Sequence, residues 1–199
     1  MEFFNLFSDE IFRYFLIACN GIALLIWLFT LITQNFSQMD RLWPILPMFY
    51  SWGFLYTALA FNPSVNRSVT FATQINASNT SSQYRLFLIT FFISIWGIRL
   101  FYVFWRRGYY KWEHEDYRWE HVKRKFDYPN TKAAFHVFNF VFMAFIQNWI
   151  LLGYALPLWF IQTNLKSQET FNVLDIVIAL AYLIFYSIEA IADGNCLYL

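Results

Sequence analysis

Two carboxylates four residues apart, Glu189 and Asp193, close the last apolar run of the chain, and Arg99, Tyr102 and Arg106 close an earlier one. Residues at i, i+3, i+4 and i+7 lie on one face of a helix, so each run ends in a polar patch. Two guanidinium groups and a phenol on one face suit a phosphate or carboxylate, which the planar arginine fork holds in paired hydrogen bonds. Glu189 and Asp193 arrive at the same depth as Arg99 and Arg106. Ionisable groups at a helix centre in a bilayer cost about 2.5–3.5 kcal/mol each, which makes every one a candidate site. Three readings are open: Arg99, about 9 Å from the end of its run, snorkels to the headgroups; it forms a salt-bridge network with the acids; or these groups form a cradle for a polar cofactor.

Other candidates are sparser. Asp40 precedes a run opening with Pro44 and Pro47 and suits a helix N-cap or near-cap. Asp175 lies near the start of the last run, where the helix dipole favours an acid. His114 and His121 are seven apart in the WEHEDYRWEHVKRK segment and share a face with acids. With only three histidines and no HExxH, however, that segment reads as an amphipathic helix in the membrane interface, anchored by Trp112 and Trp119, and no metal site is expected. Neither GxGxxG nor GxxxxGK[ST] occurs, so any nucleotide must be bound by the helical bundle itself.

The elements that carry these groups are membrane spans. A chain of 199 residues with 59% hydrophobic and 14% charged residues lacks the charge to cover a soluble surface. The expected fold is all-α, a polytopic transmembrane bundle of about five helices in one domain over residues 1–199, at approximately 11–33, 42–61, 86–105, 133–161 and 171–193. The first run lacks the basic flank of a cleaved signal. Residues 62–84 form a polar loop with N-x-S/T patterns at Asn66, Asn76 and Asn79. Eight of the 14 Lys and Arg fall in the loop 106–132, which the positive-inside rule places in the cytosol, with the N-terminus and the loop 62–84 lumenal. The net charge of +1 gives no field for nucleic acid. Cys19 and Cys196 have neither disulfide density nor metal-ligand spacing.

Asp40 with Trp43, the WGIRLFYVFWRRG segment at 96–108, HEDYRW at 114–119 and EAIAD at 189–193 together resemble an uncharacterised family of steroid 5α-reductase-like membrane proteins. The resemblance implies a helical bundle, in the endoplasmic reticulum, with a cytosol-facing NADPH site and a membrane lipid as substrate, in which hydride goes to the β-carbon of a conjugated enone. By position, Asp40 matches a catalytic glutamate, Glu189 and Asp193 match an Asn-x-x-x-Asp pair at the dinucleotide, and Arg99 matches an arginine near it, with Tyr102 and Arg106 on the same stripe. Trp96 stands where the steroid enzymes carry a catalytic tyrosine; its indole donates a hydrogen bond but no useful proton, leaving Tyr102 or Tyr50 as substitutes. The resemblance further implies helices and an Arg-x-Pro-Asn-Tyr-type motif beyond EAIAD, where this sequence ends in GNCLYL. The expectation is therefore an incomplete cofactor site. Two rival readings are a non-catalytic membrane protein that binds lipid or partners, and a membrane methyltransferase using S-adenosylmethionine.

Overall fold

A computed structural model describes residues 9–60, 80–163 and 172–195 of the chain. The N-x-S/T patterns and Cys196 lie outside these residues. The described chain is entirely helical among its regular elements: α1 (Glu10–Thr33), α2 (Gln38–Leu42), α3 (Leu46–Ala60), α4 (Thr80–Arg106), α5 (Tyr117–Lys125), α6 (Lys132–Phe138), a π-helical segment (Asn139–Ile146), α7 (Gln147–Gly153), α8 (Leu156–Thr163) and α9 (Val173–Asn195). Among the described residues, four stretches are long and apolar enough to cross a bilayer: Glu10–Thr33, Gln83–Arg106, Lys132–Gly153 and Val173–Asp193. The protein is an all-α, integral membrane bundle.

Local sequence sets the ends of these elements. Asp9 caps α1 by accepting the amide of Phe12 at 2.8 Å. At the other end, Gln34 takes a left-handed conformation (φ 53°) and its N–H bonds Thr30 O at 2.9 Å. The second expected span differs from the apolar run that suggested it. Pro44, which lacks an amide proton, falls in the break between α2 and α3, and α3 has 15 residues, about 22 Å of rise against a hydrocarbon core of about 30 Å. The fourth run is also divided. It passes through the π-helical turns, breaks at Tyr154 and Ala155, and restarts in α8 with Pro157 in the first turn, where a missing amide costs nothing.

The bundle core joins α1, α3, α7 and α8 around Cys19, Tyr50, Phe54, Leu55, Leu151 and Leu158, with Leu86 of α4 packed into it. Within it, Asn148 is fully buried; its amide donates to Cys19 O at 2.7 Å, and its Oδ1 accepts the Tyr50 hydroxyl at 2.8 Å. A polar group in the apolar interior needs such partners, and Asn148 uses them to tie α7 to α1 and α3. Two glycines let helices close up. A Cβ on Gly97 of α4 would meet Pro44 O at 2.6 Å, and one on Gly53 of α3 would meet the Phe15 ring at 2.5 Å.

A second, smaller core caps one side of the bundle. Phe36, Trp119, Phe135 and Met143 are buried together, with Val122, Phe126 and Tyr128 around them. The turn after α1 and the segment before α5 are stitched by the Asn35 amide to His114 O (3.0 Å), the Phe36 N–H to Glu115 Oε1 (3.0 Å) and the Arg41 guanidinium to Lys111 O (3.0 Å) and His114 O (2.8 Å). The basic loop is thus a folded cap. Trp119, expected as an interfacial anchor, is buried (4% exposed) because its indole N–H has a carboxylate to reach; Trp112, at 66% exposed, keeps that outward position.

Candidate functional site

The candidate side chains fall into two groups. The first lies between α4 and α9, which run parallel. Arg85 grips Asp175 with two bonds, at 2.8 and 2.9 Å, near the start of both helices. Midway, the Tyr182 hydroxyl donates to Phe92 O at 2.6 Å, and the two rings stack with 4.3 Å between centroids. Toward the basic side, Arg99 forms ion pairs with Glu189 and, at 3.0 Å, with Asp193. The i, i+4 spacing of the two acids brings both to one cation, as the sequence predicts.

Arg99 also lies over the Tyr186 ring, 5.3 Å from its centroid. The Trp96 indole donates to Glu189 Oε1 at 3.3 Å. Arg99 is only 12% exposed at its side chain, and none of its three guanidinium nitrogens makes an aligned hydrogen bond among the described residues. Its contacts with the acids are therefore charge pairs that leave directed donor capacity unused. Beside this cluster is a cavity of about 250 Å³ lined by Pro47, Ile93, Trp96, Tyr154, Tyr182, Phe185, Tyr186 and Glu189.

Tyr102 and Arg106 share Arg99's side of α4 but are turned further from α9 than Arg99 is. The face of α4 that meets α9 is centred on Arg85, Phe92 and Trp96. At about 100° per residue, Tyr102 stands about 100° and Arg106 about 60° from Arg85, while Arg107 returns to about 40° on the other side. Tyr102 is accordingly 51% exposed and Arg106 is exposed, whereas Arg107 approaches Asp193 at 3.9 Å. The face that Arg99 shares with Tyr102 and Arg106 therefore meets α9 only at its Arg99 edge. Tyr50, the other phenol considered, is committed to Asn148 in the core.

The second group surrounds Asp40 in the cap. Its Oδ2 accepts the Trp119 indole N–H at 3.0 Å, and Arg118 lies 3.7 Å from its Oδ1. Asp116 caps α5 through the Arg118 N–H (2.9 Å) and grips the Arg118 guanidinium at 2.8 and 3.0 Å. Burial pushes the Asp40 carboxyl above the ordinary carboxylate range, and the Trp119 bond and Arg118 charge only partly oppose it. Asp116 is shifted the other way: burial raises it, but hydrogen bonds from Arg118 outweigh that and hold it below the usual range. No hydrogen-bond or ion-pair partner of Asp40 among the described residues comes from α4 or α9, so the structure does not join it to the Arg99 cluster. Neither His114 nor His121 belongs to a group of three or more metal-ligating side chains among the described residues.

Sequence reasoning missed Tyr186, Arg107 and the pairing of Trp96 with Glu189. Tyr186 precedes Glu189 by three and shares its face, a spacing that was readable. The Asp40–Trp119 bond joins residues 79 apart, and no local pattern announces it.

Residues 26–197 match the model of a family described as a protein of unknown function, DUF1295. An uncharacterized protein of Schizosaccharomyces pombe is 33% identical over 85 residues, which are 43% of this chain and 20% of that protein. The aligned stretch thus spans about a fifth of the relative's length. No solved structure matches the chain. With nearly its whole length matched, the chain belongs to the DUF1295 family.

Proposed function

We propose that this chain is an NADPH-dependent membrane oxidoreductase that reduces a conjugated double bond of a lipid, with the α4–α9 cluster holding the nicotinamide–ribose end of the cofactor and the basic cap facing the cytosol of the endoplasmic reticulum. The observation that supports it is the Arg99 guanidinium, enclosed between two carboxylates with its directed donors unused, beside a cavity walled by Trp96, Tyr154, Tyr182 and Tyr186. The residues fit one end of the dinucleotide. Glu189 and Asp193 would accept hydrogen bonds from ribose hydroxyls or a carboxamide, and aromatic walls suit a flat ring. At about 250 Å³ the cavity is below the roughly 300–1,000 Å³ of pockets that enclose a drug-sized ligand. The phosphates therefore fall to cations outside it, of which Arg106 and Arg107 are the next along α4.

When bound, the cofactor supplies a hydride to the β-carbon of the enone. The chain's own residues orient and polarise. Trp96 fixes Glu189 through its indole N–H, and Arg99 sets its positive charge between the two acids. Tyr186, beneath that cation, is the phenol placed to donate to a substrate carbonyl, since the Tyr182 hydroxyl is already bonded to Phe92 O.

Thermal unfolding of the purified full chain in detergent tests this. Saturating NADPH is expected to raise Tm by about 5 °C or more, as about 100-fold excess over Kd stabilises by about 2.7 kcal/mol. Arg99→Gln removes the shift. Protection by S-adenosylmethionine instead establishes the methyltransferase reading. If neither ligand protects and the Arg99→Glu, Glu189→Arg exchange keeps the wild-type Tm, the cluster is a structural clamp and the oxidoreductase reading is wrong.

A further inference from the structure

A second cavity, larger than the one beside Arg99, lies away from this site. About 720 Å³ in volume, it is lined by Trp52 and Leu55 of α3 and by Tyr84, Phe87, Leu88, Thr90, Phe91 and Ser94 of α4. None of these residues lines the cavity beside Arg99. At about 100° per residue, Thr90 and Ser94 lie about 140° and 180° around α4 from Arg85, on the opposite side from the α9 contact. Because α4 spans the membrane, this groove opens among lipid tails rather than to water.

Its chemistry is specific. No charged side chain lines it, so nothing there selects a phosphate or ammonium headgroup. Four of the walls are aromatic, Trp52, Tyr84, Phe87 and Phe91, and their flat faces pack best against a rigid ring body. Polar atoms are few, and those of Trp52 and Ser94 are already used. The Trp52 indole donates to Ser94 Oγ at 3.0 Å, and Ser94 Oγ donates to Thr90 O at 2.7 Å. Beside the Tyr84 hydroxyl, on a side chain that is exposed, this leaves Thr90, 1% exposed, whose buried Oγ1 has no hydrogen-bond partner among the described residues. A buried hydroxyl without a partner costs about 1–3 kcal/mol. On a transmembrane helix a serine or threonine can return its proton to the preceding turn, as Thr30 does to Ile26 O at 2.9 Å. Thr90 makes no such bond. The volume is within the roughly 300–1,000 Å³ of small-molecule sites.

We infer that the α3–α4 groove is a binding site for a neutral, rigid-ring membrane lipid bearing one hydroxyl, a sterol-like alcohol, whose oxygen is received by Thr90. A hydroxyl both donates and accepts, so it satisfies Thr90 Oγ1 in either orientation. The site is independent of the oxidoreductase reading and stands on the opposite face of α4.

The test is photo-crosslinking of the full chain in phosphatidylcholine nanodiscs with a diazirine cholesterol analogue that keeps its 3-hydroxyl, followed by peptide mapping. Adducts are expected within Trp52–Leu55 and Tyr84–Ser94, to be competed by unlabelled cholesterol and to fall several-fold when the probe's hydroxyl is capped as a methyl ether. Thr90→Val should cut labelling about fivefold, Thr90→Ser should preserve it, and Leu88→Trp should abolish it by filling the groove. Each variant is compared at wild-type Tm and monodispersity; Thr90→Ser and the capped probe carry the test if Thr90→Val misfolds. Labelling spread evenly over the lipid-facing side of α9, or labelling of the groove indifferent to both Thr90→Val and the methyl ether, overturns the proposal. Loss of NADPH protection does not bear on it, and Arg99→Gln should leave groove labelling unchanged.

Discussion

At the scale of single residues, the two acids of the cap carry opposite electrostatic assignments. Asp40 is buried against an indole with a cation 3.7 Å away, and its carboxyl is raised above its ordinary 3.8; Asp116 is gripped by Arg118 and lowered below that value. A raised carboxylate pKa means the folded state binds its proton more tightly than the unfolded chain, so the cost of ionising Asp40 appears as pH rises from 3.8 through the folded pKa. For Asp116, stabilisation is present above 3.8 and is lost as pH falls through its lowered folded pKa. Asp40→Asn keeps an oxygen for Trp119 and removes the charge. Its Tm relative to wild type is expected to be unchanged near pH 4 and to increase toward pH 7, then level off. A deficit that deepens with pH would show instead that Arg118 more than compensates the burial. By contrast, Asp116→Ala removes the α5 cap and should lose about 1 kcal/mol at neutral pH. The identities of these residues were legible as candidates, and Asp40 was legible as near a helix start. That Trp119 turns inward to it was not, because the HEDYRW pattern is equally amphipathic with that tryptophan facing lipid.

At the scale of elements, hydropathy found the runs but not their interruptions. The run from Leu42 reads as one span because apolar content says nothing about a missing amide. Pro44 falls at its break, and Pro44 O then becomes the surface on which α4 rests at Gly97. The close approach makes a sharp prediction. In Gly97→Ala, the new methyl meets Pro44 O at 2.6 Å, Met48 Cγ at 2.7 Å and Met48 Sδ at 2.8 Å. The methionine can swing away, but the backbone oxygen cannot without moving the start of α3. Overpacking of this kind costs about 1–3 kcal/mol, so Tm in detergent should fall by about 2–4 °C per kcal/mol for a chain of this size. An unchanged Tm would mean that α3 and α4 are free to separate. Gly21, with nothing within 4 Å of a built Cβ, is the matched control, and Gly21→Ala should be neutral or slightly stabilising.

On the scale of the whole molecule, the bundle divides into a packed body and one helix held at its side. The core of α1, α3, α7 and α8 draws on apolar burial and the Tyr50–Asn148–Cys19 bonds, whereas no residue of the spanning stretch of α9 is buried. Helix association within lipid gains little from apolar contact alone, so α9 depends on the polar links at its two ends and the Tyr182 bond between them. The proposed cofactor cavity, walled partly by Phe185 and Tyr186, exists only while those links hold. This predicts a local effect of a remote substitution. Arg85→Asp places a carboxylate against Asp175 at the end farthest from Arg99, and hydrogen exchange should accelerate along Val173–Asn195, by about tenfold for each 1.4 kcal/mol lost, with α1, α3 and α8 unaffected. Adding Asp175→Arg reverses the pair and should restore protection. Because the Arg99 end remains intact, acceleration should be greatest near Val173 and decline toward Glu189. Uniform acceleration across all helices would show that α9 is an integral part of the core, and none at all would assign its retention to the Arg99 cluster alone.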